Sequence, residues 1–134
     1  MDTETSGQES ATADRRPVLV VEDDPDIRES IREVLEEEGL AVETAASGLE
    51  AVQKATDRRP ALVLLDLTLP DLEGERVSEM LQMLGAGDVP VLVITGHSWA
   101  AERAVRIGAV DYLRKPFELD DLVQAVHRIL GDSS

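Results

Sequence analysis

Five short apolar runs punctuate the chain: "VLVV" (18–21), "LAVETA" (40–45), "ALVLLDL" (61–67), "PVLVITG" (90–96) and "VDYL" (110–113). The first, third and fourth are almost wholly apolar, the pattern of strands covered on both faces. The segments between them carry helical spacing instead. Ile27, Ile31, Val34 and Leu35 fall at i, i+4, i+7 and i+8, one face of a helix that Gly39 closes. Asp24 is its expected N-cap and Pro25 its first helical residue. Ser47 with Glu50 forms a capping box for a second helix, and Val77, Leu81 and Leu84 mark the buried face of a third. A fourth follows Ser98 and stops near Gly108, and a fifth, from about Leu119, buries Leu122, Val123, Val126 and Ile129. Strict β–α alternation repeated five times predicts an α/β domain over residues 17–130, a doubly wound five-stranded parallel sheet with helices on both faces. Residues 1–16, rich in Ser, Thr, Ala and acids without periodicity, read as a disordered tail, and 131–134 as a short C-terminal one.

Composition narrows the class. The 134 residues suffice for one domain with a real core and not for two ordinary ones. No apolar run approaches the roughly 18 residues that span a bilayer, the N-terminus is acidic rather than signal-like, and cysteine is lacking. The expected setting is the cytoplasm. The net charge is −15, and residues 1–16 hold four acids against two arginines, which leaves −13 on the remainder. A surface that acidic repels phosphate backbones and anionic lipids, which speaks against direct nucleic-acid or membrane binding and favours cationic partners and metal ions.

In open parallel sheets the chemistry sits at the carboxyl ends of the strands. Here those ends carry Glu22, Asp23 and Asp24, then Asp66, then Thr95 with Gly96, and last Lys115 with Pro116. Each has a plain reading alone: Asp24 as a cap, Thr95 as a turn residue, Lys115 as a solvated cation. Gathered at one edge they are harder to dismiss. Two carboxylates 4 Å apart repel by ~4 kcal/mol at an effective dielectric of ~20, so converging acids must protonate, spread or hold a cation. A few hard oxygen ligands with room for water suit Mg2+. A carboxylate beside Mg2+ and an ammonium is placed for phosphoryl transfer, and Asp66, fixed by the buried strand before it, is the best nucleophile candidate.

Taken together, "VVEDDP" (20–25), "LLDLTLPDLEG" (64–74), "VITG" (93–96) and "YLRKPF" (112–117) resemble a response-regulator receiver domain of bacterial two-component signalling, with its CheY-like, flavodoxin-like (βα)5 fold. The resemblance implies that Asp66 accepts a phosphoryl group from a histidine kinase in a Mg2+-dependent reaction. It implies that Asp23 ligates the metal directly, that Glu22 acts through water and that Thr68 offers a carbonyl. It matches Thr95 to the hydroxyl that moves onto the phosphoryl group, Lys115 to the lysine that pairs with it and Tyr112 to the aromatic switch that then turns inward. Pro116 completes a lysine–proline step, often cis, and Gly74 the turn that opens the third helix. The implied partners are a sensor histidine kinase or histidine phosphotransfer protein and a downstream protein target, reached through the face of the fourth helix, fifth strand and fifth helix. Such a protein catalyses only its own phosphorylation and dephosphorylation. With "GDSS" alone after the fifth helix, a single-domain regulator is expected; phosphorylation-dependent dimerisation stays open.

Several positions vary within this pattern. Glu22 stands where aspartate is frequent, and Thr68 and His97 occupy places that affect how fast the aspartyl phosphate hydrolyses. His97 reads otherwise as an exposed loop residue, and Trp99 as a cover for the packing of the fourth helix. Flavodoxin-like electron carriers share the β–α order, yet the acids after the first strand would repel a flavin phosphate. Phosphohydrolases of the haloacid-dehalogenase type need a second aspartate where Thr68 stands. A pseudo-receiver that is never phosphorylated is the remaining alternative, against which the intact set Glu22, Asp23, Asp66, Thr95 and Lys115 argues.

Overall fold

The computed structural model describes residues 16–96 and 99–131. The expected 1–15 portion of the tail, His97, Ser98 and residues 132–134 lie outside the described residues. Five strands and five helices alternate: β1 (Val18–Val21), α1 (Pro25–Glu37), β2 (Val42–Ala45), α2 (Gly48–Asp57), β3 (Leu62–Asp66), α3 (Gly74–Met83), β4 (Val91–Thr95), α4 (Ala100–Ile107), β5 (Asp111–Arg114) and α5 (Leu119–Leu130). All pairings are parallel and the strand order is β2-β1-β3-β4-β5. This is the doubly wound (βα)5 sheet expected from the alternation.

The alternation of side chains along each strand divides the core in two. Val18 and Val20 of β1, Leu62 and Leu64 of β3, and Leu92 and Ile94 of β4 pack with Ile31 and Leu35 of α1 and with Leu122, Ala125 and Val126 of α5. The intervening residues Leu19, Val21, Val63, Leu65, Val91 and Val93 pack with α2, α3 and α4. Each such fully buried Val, Leu or Ile contributes roughly 1.5–3 kcal/mol relative to exposure. Chain direction reverses its winding between β1 and β3, so the loops after these two strands diverge and leave a crevice above them.

Local signals set the element ends. Asp24 accepts hydrogen bonds from the N–H groups of Asp26 and Ile27 at 2.9 and 3.3 Å, the cap expected of it. Ser47 Oγ caps the N–H of Glu50 at 3.2 Å. The reciprocal half of that box is displaced, since Glu50 Oε1 accepts from Ala46 N–H at 2.8 Å. Gly39 and Gly108 adopt φ of +84° where α1 and α4 stop, a left-handed turn that glycine enters without a Cβ penalty.

Three expectations need correction. Leu84 does not join the buried face of α3; it is the C-cap and 55% exposed, because the helix ends one residue before it and the chain turns away at Gly85. Trp99 does not cover α4; it precedes the first helical turn and is exposed, while Ala100, Ala104 and Ile107 fill the inward stripe at i, i+4 and i+7. β2 begins at Val42 rather than Leu40, and β5 runs one residue later than its apolar run, through Arg114.

Gly74 shows how tightly the loop after β3 is packed. A Cβ there would stand 2.4 Å from Leu67 Cδ2 and 3.0 Å from Leu67 Cα, and the second contact is backbone. Gly74→Ala is therefore expected to cost about 1–3 kcal/mol. Urea denaturation measures it, and a midpoint equal to that of the wild type would refute the packing argument.

Candidate functional site

Sheet register brings the strand-end residues together. β1 pairs with β3 through Val21 and Leu65, so the next residues along, Glu22 and Asp66, emerge side by side from adjacent strands. Thr95 follows on β4, and its carbonyl accepts from Lys115 N–H at 2.8 Å, which aligns the lysine just beyond β5. The Lys115–Pro116 peptide is cis. Strands lie about 4.8 Å apart, so this crevice spans only four of them.

The polar groups are more buried than their chemistry alone would favour. Glu22 is fully buried, Asp66 is 2% exposed and Thr95 fully buried, whereas Asp23 is exposed. Lys115 Nζ stands 2.8 Å from Glu22 Oε1 and 3.3 Å from Asp66 Oδ2, an ammonium shared by two carboxylates. Asp66 Oδ1 accepts from Thr68 N–H at 2.9 Å, and Glu22 Oε2 from Asp24 N–H at 3.1 Å. Burial pushes the Glu22 carboxyl up to about 7; the Lys115 contact and the Asp24 N–H oppose that rise, and the neighbouring Asp66 charge adds to it. For Lys115, burial works to lower the pKa, but Glu22 and Asp66 outweigh it and hold the ammonium above its ordinary range.

Glu22, Asp23 and Asp66 each offer a carboxylate oxygen within 4.8 Å of the others. Glu22 Oε1 is buried, and the Lys115 ammonium at 2.8 Å is the cation that faces it. An all-oxygen donor set of clustered carboxylates, one of them fully buried, fits a hard divalent cation such as Mg2+ better than Zn2+, which prefers nitrogen and sulfur.

Other expected residues sit near this set in different ways. Thr68 is exposed and reaches Asp66 through its N–H. Tyr112 is 39% exposed on the edge strand β5, opposite Val93 and therefore on the sheet face to which Thr95, two residues further, also belongs.

Three contacts had no sequence signal strong enough to single them out. Arg28 Nη1 donates to the carbonyls of Glu22 and Asp23, at 2.9 and 3.3 Å. Asp71 accepts from the N–H groups of Gly48 and Leu49 at 2.8 and 3.0 Å, tying the loop after β3 to the start of α2. Arg103 of α4 makes a two-pronged pair with Glu75 of α3, both bonds 2.6 Å. Only Arg28 left a trace: a helical side chain leans over the turn before its own Cα, here the acidic loop.

The sequence profile of the response regulator receiver domain matches residues 18–127. The chain belongs to this family. Among curated relatives it is similar to the response regulator MprA of Mycobacterium sp. (strain KMS), 40% identical over 119 residues, covering 87% of this chain and 51% of that protein. The chain thus spans about half the length of the curated relatives it matches. Among solved structures it resembles the CheY-like receiver domain protein of Methanospirillum hungatei JF-1, with TM-score 0.80, 31% identity and coverage of 88% and 95% of the two chains. It likewise resembles the receiver domain of the sensor histidine kinase PA1611 of Pseudomonas aeruginosa PAO1, with TM-score 0.79, 30% identity and coverage of 88% and 99%. That neighbour has a magnesium ion coordinated in its active-site cleft. As a receiver domain, this is a signalling protein of a two-component system. None of its described helices is long and apolar enough to cross a membrane.

Proposed function

We propose that this receiver accepts a phosphoryl group on Asp66 from the phosphohistidine of a sensor kinase or phosphotransfer protein. The observation that carries the reading is the placement of Asp66, nearly buried at a strand end, beside the Lys115 ammonium and within one carboxylate group with Glu22 and Asp23. In the transfer an Asp66 carboxylate oxygen forms the new O–P bond while the P–N bond of the donor breaks, and the imidazole leaves with the electron pair. Lys115, already held as a cation at 3.3 Å, stabilises the phosphoryl oxygens, and the Thr95 hydroxyl supplies a hydrogen bond to them. Glu22 and Asp23 with Asp66 would hold Mg2+, and the Thr68 carbonyl would complete the protein ligands. The bound ion supplies further neutralisation of charge on the transferring group.

The output surface in this reading is the face of α4, β5 and α5. It exposes the apolar side chains of Val105, Val110, Tyr112 and Leu119. Movement of Thr95 toward the phosphoryl group would free space on its sheet face for Tyr112, coupling the site to that surface. A downstream protein, or a second copy of the chain, then binds the altered face.

Acetyl phosphate with Mg2+ tests both halves. One phosphoryl group per chain is expected by intact mass, together with changed amide exchange in α4, β5 and α5. An unlabelled wild type sinks the phosphoacceptor assignment; labelling with identical exchange sinks the switch.

A further inference from the structure

Lys115 meets the acidic cluster through its carboxylates, whereas Arg28 meets it through the main chain. A single guanidinium nitrogen, Nη1, bonds two successive carbonyls, those of Glu22 at 2.9 Å and Asp23 at 3.3 Å. These are the two residues of the β1 end whose carboxylates join Asp66 in one group. Arg28 is itself anchored, because its N–H closes the first turn of α1 onto Asp24 O at 2.9 Å. Asp24 in turn caps the helix, and its own N–H bonds Glu22 Oε2. The result is a closed ring of contacts: β1 end, acidic loop, helix cap and first turn, with Arg28 spanning it. Two carbonyls held by one planar donor cannot rotate independently, so the peptide planes that aim the Glu22 and Asp23 side chains are fixed.

We propose that Arg28 is a positioning residue for the divalent-cation site, holding the Glu22–Asp23 main chain so that both carboxylates face Asp66. This rests on the metal reading of the cluster given above. Its sign separates it from simple charge effects. A cation this close to the site repels Mg2+, so by Coulomb's law alone its removal tightens Mg2+ binding. Positioning gives the reverse, because the ligands lose their preorganised arrangement, as when outer contacts of metal ligands are removed.

The test is calorimetric titration of the full chain with MgCl2, for wild type, Arg28→Ala, Arg28→Lys and Arg32→Ala. Arg32 lies one turn further along α1 and pairs, among the described residues, with Glu29 and Glu36 at 2.5 and 3.0 Å, so its removal takes away the same charge without touching the loop. Arg28→Ala is expected to weaken Mg2+ binding about tenfold. Arg28→Lys, which keeps the charge but has a shorter reach, should lie between it and the wild type, and Arg32→Ala should match or exceed wild-type affinity. Binding by Arg28→Ala that is tighter than, or within about twofold of, the wild type overturns the inference, whatever its melting temperature does. If Arg28→Ala does not fold, wild-type affinity in Arg28→Lys overturns it equally. A wild type without Mg2+ affinity overturns the metal reading and the inference with it; a wild type that binds beside an equally competent Arg28→Ala overturns the inference alone.

Discussion

Asp66→Asn is expected to abolish phosphoryl uptake while leaving the fold at least as stable as the wild type. Asparagine has nearly the same volume and still offers Oδ1 to the Thr68 N–H, which Asp66 engages at 2.9 Å. It lacks the anionic oxygen that forms the acyl phosphate, so the loss should be complete rather than partial. The stability expectation follows from the charges. Asp66 and Glu22 share the Lys115 ammonium, and the Asp66 charge is one of the influences that push the Glu22 carboxyl up. Removing it lets Lys115 serve Glu22 alone and relieves a like-charge contact. Intact mass after incubation with acetyl phosphate and MgCl2, alongside thermal melting, reads both outcomes. Phosphoryl label on a folded Asp66→Asn protein would defeat the assignment and direct attention to Asp23, the exposed carboxylate of the same group.

The second large effect is on stability as a function of pH. In metal-free buffer the protein is expected to lose stability between pH 4.5 and about 7, and MgCl2 to restore it. The buried Glu22 carboxyl titrates near 7 in the folded chain against 4.5 in the unfolded one. Below pH 4.5 both states hold the proton and the contribution is fully present. Through the interval the unfolded chain releases its proton and the folded chain keeps it, so unfolding becomes progressively easier; above 7 the folded chain carries a buried carboxylate and the contribution is gone. The span corresponds to at most about 3 kcal/mol, a drop of up to roughly 10–13 °C in the melting midpoint for a domain of this size. Lys115 does not disturb the window, since its folded pKa is raised above 10.5 and its contribution is lost only at higher pH. Glu50, Glu75 and Asp71, held below their ordinary range chiefly by the Ala46 N–H, Arg103 and the Gly48 N–H respectively, lose their contributions below the window, on the acid side. Melting with EDTA at pH 5 and 8, repeated with MgCl2 and with Glu22→Gln, separates the causes. A flat or rising profile in EDTA, or a slope that survives in Glu22→Gln, would contradict this account of the cluster.

Much of this was legible from local pattern. The continuous apolar runs of β1, β3 and β4 announced strands covered on both sides, and the rule that function gathers at strand carboxyl ends was enough to select Glu22, Asp23, Asp66, Thr95 and Lys115. Asp24 was readable as a cap because Pro25 follows it. Pattern failed where an element stops. Leu84 continues the spacing of Val77 and Leu81, but helical periodicity says nothing about whether the helix persists long enough to bury the next position. Trp99 failed for a related reason: a large apolar side chain beside the helix reads as a cover for its packing, whereas Ala100, Ala104 and Ile107 already fill the stripe that packs α4 on the sheet.

Periodicity is a property of neighbours in sequence, so the chain by itself determined which residues face inward, where most strands end and which charges stand at those ends. Strand order and side-chain approach are not local. Glu22 and Asp66 become neighbours only because β1 lies beside β3, and Lys115 joins them only because β4 separates β3 from β5. The tertiary structure alone decided that one ammonium serves two buried carboxylates, and that Arg28 grips the main chain of the acidic pair rather than the acids themselves. Contacts of this kind depend on distances of a few ångströms between segments that hydrophobic patterning places only to within a strand's width, and Coulomb and hydrogen-bond energies change most steeply over that range.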